Sequence, residues 1–452
     1  ALALAAELER RDAFDRAFID TWVEGLDAYM AEARRHSVDE ALAVCGIARE
    51  GFDRLADLYA GAQRLALSIG NGMERARNGG SAIRAIIALN ALTGQLGRPG
   101  AGVSVRPGLA FPTTAARLQR PDLVPAGTRT FNIVDVGRLL LDDTLDPPIK
   151  AVFIYNHNPV CTHPDQNRMR RALSREDLFV VGCDVVMTDS LAYADVILPA
   201  SSHFEFDDVY TAYGQSYLQR AAPVIAPVGE SLPNTEIFRR LAARFGFDEP
   251  AFHDSDEALM DAALNPADPR LGGLRPSELP LDRALMMHTP AGEPVMVCNT
   301  VKPGTPSGRI TLYSQDLQDR FGYGVPRYEP VPADAPLMLI SPSSSRRTNA
   351  TFGSDPASQG PERIELHPTD AAVRGIADGD RVRAWNRLGE VTLIARVTDA
   401  VPAGVAYSSK GTWLSTSDTG QTVNALIDAD RRSDIMSGAC YNDTFIEVAL
   451  AQ

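Results

Sequence analysis

Several short clusters in this 452-residue chain combine residue types able to bind a polar ligand. Tyr155-Asn156-His157-Asn158-Pro159 gathers amide donors and acceptors, suited to a nucleobase or ribose, into a turn-forming pentad. Gly182-Cys183-Asp184 offers a carboxylate to ribose hydroxyls or guanine N–H donors. Gly70-Asn71-Gly72 could cradle a phosphate, because glycines let backbone amides approach an anion, although Arg75 stands where the dinucleotide fingerprint has its third glycine. Ser341 to Asn349 concentrates hydroxyls with Arg346 and Arg347, groups that suit phosphates and a polar heterocycle. Each cluster also has a plain alternative, since Asn, Asp, Gly and Ser equally serve turns and solvated loops.

These clusters need elements to position them. Ala151–Tyr155 and Leu178–Gly182 are continuous apolar runs on either side of a helix expected to start at Pro164, and Asp195–Leu198 is a third run. That spacing predicts a right-handed βαβ unit in a parallel, doubly wound sheet, with the pentad and Asp184 at the carboxyl ends of strands, where open α/β sheets bind ligands. Arg64–Ile69 reads as a short buried strand entering the glycine turn, followed by a helix that stops at Gly94. Residues 1–66 read as helix, with Phe14, Phe18 and Trp22 at four-residue steps. Ser231–Gly246 reads as a helix capped by Asn234 or Thr235 and ended by Gly246. Beyond Pro336, runs at Leu337–Ser341, Arg363–His367, Arg381–Asn386, Glu390–Thr398 and Val405–Ser409 predict a small, mostly closed barrel.

Composition narrows the function classes. With 44 basic against 58 acidic side chains, the formal charge of −14 argues against a surface built for nucleic acid. No run approaches the roughly 18 uninterrupted apolar residues of a membrane span. Cys45, Cys161, Cys183, Cys298 and Cys440 lie too far apart for a zinc knuckle or an iron–sulfur cluster. His157 and His163 read as loop groups rather than metal ligands, and no serine-nucleophile elbow is present. The chain begins at Ala1 within an amphipathic helical pattern. From residues alone, the expectation is a ligand-binding α/β protein with a β-barrel appendage and no assigned reaction.

Four stretches taken together resemble the molybdopterin oxidoreductase family, the dimethyl sulfoxide reductase superfamily. The first runs from Gly70-Asn71-Gly72 to Leu92-Thr93-Gly94-Gln95-Leu96-Gly97-Arg98-Pro99-Gly100-Ala101-Gly102, with Gln95 where the family usually has Asn. The second is Phe153–Pro159. The third is Met187-Thr188-Asp189-Ser190 through Ala194-Asp195-Val196-Ile197-Leu198-Pro199-Ala200, followed by Glu205. The fourth runs from Glu365-Leu366-His367-Pro368 and Gly375-Ile376-Ala377-Asp378-Gly379-Asp380 to Asn424-Ala425-Leu426.

The resemblance implies doubly wound parallel-sheet domains followed by a six-stranded, double-psi-type barrel. Residues 1–105 would end one dinucleotide-binding domain, 106–148 connect, 149–250 form a second, 251–335 connect, and 336–452 form the cofactor-binding barrel. The implied cofactor is molybdenum with two molybdopterin guanine dinucleotides. Ile69, Gly70, Gly72 and Met73 would touch one dinucleotide. Asn158, Cys183, Asp184, Thr188 and Asn234 would hold the guanosine of the other, with Asn156 beside them in the pentad. Ser344, Arg346 and Asn349 would bind the pterin and diphosphate, and Trp413, Asn424 and Tyr441 would complete the pocket.

The family's [4Fe–4S] cluster and metal-ligating residue match nothing in this sequence. The resemblance implies that they lie in an amino-terminal part absent here, and no residue is assigned as a molybdenum ligand. The missing segment or electron-transfer subunits are the expected protein partners. The implied activity is oxygen-atom or hydride/proton transfer. The alternatives are a non-redox hydratase or hydroxytransferase and a cofactor-free structural subunit.

Overall fold

The computed structural model describes residues 1–104, 110–211, 214–345, 347–359 and 362–451. The chain forms two compact units that alternate along the sequence. Ala1–Gly70, Ser81–Thr128 and Ser201–Tyr328 build the first; Asn71–Gly80, Arg129–Ala200 and Glu329–Gln452 build the second.

The first unit opens with helices at Leu2–Arg10, Arg16–Trp22, Leu26–Ala33, Val38–Cys45 and Arg49–Gly61. Asp15 and Ser37 cap two of them by accepting from Phe18 N and Glu40 N at 3.0 and 3.2 Å. The apolar faces meet in a core that includes Leu8, Tyr29, Met30, Phe52 and Leu92. Strand β1 (Ala66–Ser68) pairs in parallel with β2 (Gly102–Ser104). The expectation of a buried strand at this position is corrected, because β1 has a single partner strand and Ala66 and Ser68 are exposed. Gln95 anchors the entry to β1: its Oε1 accepts from Leu65 N at 2.9 Å, and its Nε2 donates to Ala62 O at 3.1 Å.

Helix α1 (Gly79–Leu92) ends at Gly94, whose φ is 63° and where a Cβ would lie 2.3 Å from Asp15 Oδ2. Glycine is therefore required at that position. Farther along, the helix Asn234–Phe245 ends at left-handed Gly246 as expected. Its N-cap is Pro233 with no side-chain bond, so the expected capping by Asn234 or Thr235 is corrected: Asn234 is already the first helical residue.

The second unit holds a parallel sheet of β3 (Ala151–Tyr155), β4 (Phe179–Asp184) and β5 (Val196–Pro199), ordered as in the chain. Between β3 and β4 lie a single turn, α2 (Pro159–Thr162), and α3 (Gln166–Leu173), which starts later than Pro164 because Asp165 is its cap. Met169, Ala172 and Leu173 of α3 pack on Ile154 and Val180. Registers of Tyr155 with Cys183 and of Asp184 with Pro199 bring the three carboxyl ends level.

The barrel consists of β6 (Leu337–Ile340), β7 (Arg363–Leu366), β8 (Arg381–Asn386), β9 (Gly389–Val397), β10 (Val405–Tyr407) and β11 (Thr444–Leu450). It closes in the order β6-β10-β7-β9-β8-β11 around Leu339, Ile364, Leu366, Val382 and Ile446. Pairs β6–β10 and β7–β9 are parallel, and the others are antiparallel. Mixed α/β architecture with parallel sheets and a closed six-stranded barrel agrees with the expected fold class. Among the described residues no helix is long and apolar enough to cross a membrane.

Candidate functional site

The ends of β3 and β4 form the first part of the site. Asn156 sits at φ 51° and donates its backbone N–H to Cys183 O at 3.3 Å, joining the two strand ends. Asn158 is buried. Its Oδ1 accepts from Ser190 Oγ at 2.6 Å, and Ser190 Oγ accepts from Val160 N at 3.0 Å. Asn158 Nδ2 is buried without a hydrogen-bond partner among the described residues, with the Cys161 thiol close by.

Cys183 is buried, and burial, reinforced by Asp184, pushes its thiol pKa up, so it is no ready thiolate. Asp184 is half-buried; desolvation raises its pKa, partly offset by backbone donors that include Val185 N at 2.7 Å. Thr188 is buried and accepts from Leu191 N at 3.2 Å.

The barrel loops supply the second part. Ser344 pairs with Arg347 through their backbones, Ser344 N donating to Arg347 O at 3.1 Å. Asn349 is exposed at φ 53°, and its carbonyl lies where a Cβ on Gly411 would approach to 1.7 Å. Arg346 lies outside the described residues. Trp413 is buried, and its Nε1 donates to Ala350 O at 2.8 Å, so its one polar atom is committed to packing. Asn424 Nδ2 donates to Cys161 O and to His163 O, and its Oδ1 is buried without a partner among the described residues. Tyr441 Oη donates to Thr162 O. Asn424 and Tyr441 therefore brace the carboxyl end of α2, just beyond Asn158.

Sequence reasoning missed several groups. Lys410 is buried, with Nζ 4.4 Å from the centroid of the Tyr441 ring, and the Arg75 guanidinium lies 5.8 Å from the same ring. Burial and then Arg75 lower Lys410 to about 8. A buried lysine beside an arginine forms a cationic corner fit for an anion. A composition scan had no means of pairing residues so far apart in the chain.

Asn442, Asp443 and Asp434 were missed as well, and they clasp the glycine turn. Asn442 Nδ2 donates to Gly72 O at 2.7 Å and Asn442 N to Arg75 O at 2.9 Å. Asp443 Oδ2 accepts from Arg77 N at 2.8 Å and Arg77 Nε at 3.1 Å. Asp434 Oδ1 accepts from Gly80 N at 2.7 Å. Met73 is exposed. Asp189 is also buried, and it accepts from Cys161 Sγ at 3.2 Å, Ser415 N at 3.1 Å and Leu414 N, which ties the β4–β5 connection to the barrel loop.

The second unit thus gathers Gly72, Met73, Asn156, Asn158, Cys183, Asp184, Thr188, Ser344, Asn349, Trp413, Asn424 and Tyr441. Half-buried Ile69, exposed Gly70 and half-buried Asn234 belong to the first unit. Within the second unit, Ser341 Oγ, Thr412 Oγ1, Asn424 Oδ1, Asp443 Oδ1, Thr444 Oγ1 and Arg77 Nη2 are buried without partners among the described residues. Each such atom costs about 1–3 kcal/mol unless a ligand or water meets it. Arg77 Nη2 and the hydroxyls can donate while Asn424 Oδ1 and Asp443 Oδ1 only accept, a mixed set that fits a large, polar organic cofactor carrying both donors and acceptors. Among the described residues no three His, Cys, Asp or Glu side chains converge as metal ligands.

Comparison with known proteins agrees with this geometry. The molybdopterin oxidoreductase model matches residues 22–244, and the molybdopterin dinucleotide binding domain matches residues 337–445. The chain is 36% identical to the probable oxidoreductase YoaE of Bacillus subtilis, across 98% of this chain and 65% of that protein. It is 29% identical to a biotin sulfoxide reductase of Cereibacter sphaeroides, across 91% of this chain and 62% of that one. Identity to a dimethyl sulfoxide/trimethylamine N-oxide reductase of Rhodobacter capsulatus is 25%, across 99% and 62%. The chain thus spans under two thirds of the length of these relatives.

Acetylene hydratase from Pelobacter acetylenicus shares the fold, with a TM-score of 0.76 at 19% identity over 100% of this chain and 70% of that one. The two matched regions include the strand-end loops and most of the barrel, and the chain belongs to the molybdopterin oxidoreductase family within the dimethyl sulfoxide reductase superfamily.

Proposed function

We propose that this chain holds a molybdenum bis(molybdopterin guanine dinucleotide) cofactor in an oxidoreductase. The observation that carries the reading is the cationic corner of Lys410 and Arg75, set beside the clasped Gly72 turn in a unit rich in buried unpartnered polar atoms. Asp184 and Asn158 are the proposed guanosine contacts, with Asn156, Cys183 and Thr188 shaping that end. Lys410, Arg75 and the loop of Ser344, Arg346 and Asn349 are proposed to meet the diphosphate and pterin. Ile69, Gly70, Gly72, Met73 and Asn234 are proposed to contact the dinucleotides, and Trp413, Asn424 and Tyr441 to position the Asn158 loop.

When bound, the molybdenum centre supplies oxygen-atom or hydride/proton transfer, with electrons exchanged through a [4Fe–4S] cluster outside the described residues. The chain's own work is to bind, orient and shield the cofactor. Molybdenum and guanine nucleotide measured in the full-length protein from a molybdenum-replete host should both be present, and absence of both overturns the reading. A second, non-redox reading rests on the fold shared with acetylene hydratase. Turnover that needs no electron donor or acceptor would select it.

A further inference from the structure

His157 and His163 play no part in the reading above. Their Nε2 atoms are 2.7 Å apart, with ring centroids separated by 4.8 Å. Only one proton fits between two nitrogens at that distance, so one ring donates and the other accepts. Burial holds both below the usual imidazole range, His163 at about 3, so the pair is neutral at pH 7. His163 Nδ1 is buried and has no partner among the described residues.

Both rings line a cavity of about 220 Å³ at the carboxyl end of β3, walled by Val136, Val152, Ile154, Met169 and Leu173. Phe153 and Tyr155 also line it, edge to face with centroids 6.2 Å apart. Asn158, Cys183, Asp184 and Thr188 do not line it, so the cavity is separate from the proposed guanosine contacts.

We infer that this cavity binds a neutral, single-ring aromatic molecule bearing one hydroxyl or ring nitrogen. Size is the first argument, since an apolar cavity of about 150 Å³ accepts benzene. Water needs roughly 2–4 polar partners, and it is a poor occupant here because the two Nε2 atoms engage each other and the remaining side-chain polar groups on otherwise apolar walls are the imidazole Nδ1 atoms and the Tyr155 hydroxyl. A charged ligand would lie against apolar walls and neutral imidazoles without compensation. Edge-to-face rings favour an aromatic guest, and one hydrogen bond to the pair adds up to about tenfold in affinity. Because His157 lies between Asn156 and Asn158, an occupant would stiffen the loop carrying both. The inference does not depend on the cofactor assignment.

Calorimetric titration of the purified protein with phenol, with toluene as the matched ring lacking a hydrogen-bonding group, tests it. One phenol per chain is expected, bound about tenfold tighter than toluene. Val152→Phe fills the cavity and should abolish saturable binding of both. The double variant His157→Phe/His163→Phe keeps both rings but removes every imidazole nitrogen and should equalise the two ligands. Circular dichroism checks that each variant is folded. In the unaltered protein, the imidazole NMR signals of both histidines should shift on phenol addition, a readout that stands even if Val152→Phe fails to fold. No saturable phenol binding, unmoved imidazole signals, or binding that survives Val152→Phe in a folded variant would overturn the proposal.

Discussion

The helical core of the first unit and the loop-and-barrel region of the second treat buried polar groups differently. In the first, Tyr29 Oη donates to Ala85 O at 3.3 Å, Asn90 Nδ2 donates to Gly102 O at 2.9 Å, and Glu7 is met by Arg10 and Arg11. In the second, Asn158 Nδ2, Ser341 Oγ, Thr412 Oγ1 and Asn424 Oδ1 are buried without partners among the described residues. A region that keeps such groups forgoes stability that apolar substitution would recover. Thr114 Oγ1 and Arg309 Nε of the first unit are also buried without partners among the described residues, so the contrast is one of number, and the excess in the second unit is what the proposed cofactor would meet.

That contrast can be broken by substitution, and the largest effect is expected in the first unit. Leu92→Ala removes a fully buried side chain from the helical core and should cost about 2–5 kcal/mol in denaturant unfolding. The same variant should leave cofactor content per folded chain unchanged. Asp184→Ala should do the reverse. Losing a charge-assisted contact of about 1.5–3 kcal/mol should lower retained guanine nucleotide at least tenfold while the thermal midpoint moves little. Equal cofactor retention in this variant would remove Asp184 from the proposed pocket.

Lys410 sharpens the comparison through pH. Its folded value of about 8 lies below the ordinary 10.5, so between those values the unfolded chain binds more protons than the folded one. Stability of the cofactor-free protein should therefore rise from pH 8 to 10.5, and Lys410→Met should flatten that rise in urea midpoints. A rise that persists in the variant would show that other groups cause it. The smallest effect belongs to Ser37→Ala, which removes an exposed cap and should cost about 1 kcal/mol with no change in cofactor content.

Much of the fold was legible because periodicity reports burial directly. The apolar runs of β3 and β4 and the helical stripe ended by Gly246 all point to the right element type. The sixth barrel strand, β11, escaped that pass: Thr444, Phe445 and Ile446 are all buried, and alternation shows only from Ile446 to Val448, across half-buried Glu447. Its partners β6 and β8 lie far off in the chain, and strand pairing at such separation leaves no local mark. Of the proposed site, Asn158 and Asp184 could be singled out from the sequence because they follow apolar runs that read as strands. Lys410, Arg75 and Asp189 could not, since their significance comes from neighbours brought together by folding. Trp413 and Tyr441 were noticed as residues, but the bonds they make to Ala350 O and Thr162 O were beyond any sequence pattern.

The clasp on the glycine turn has a kinetic side. Asn442 and Asp443 hold Gly72 and Arg77, and the next residue, Thr444, begins the strand that closes the barrel. Contacts spanning 370 residues form late, because the entropy of closing so long a loop must be met before they repay it. Completion of the sheet and setting of the turn are therefore a single event in chain topology. A polypeptide stopped just short of Asn442 would lack both, so the proposed anion corner is ready for its ligand only once Asn442 and the strand that follows it have been made.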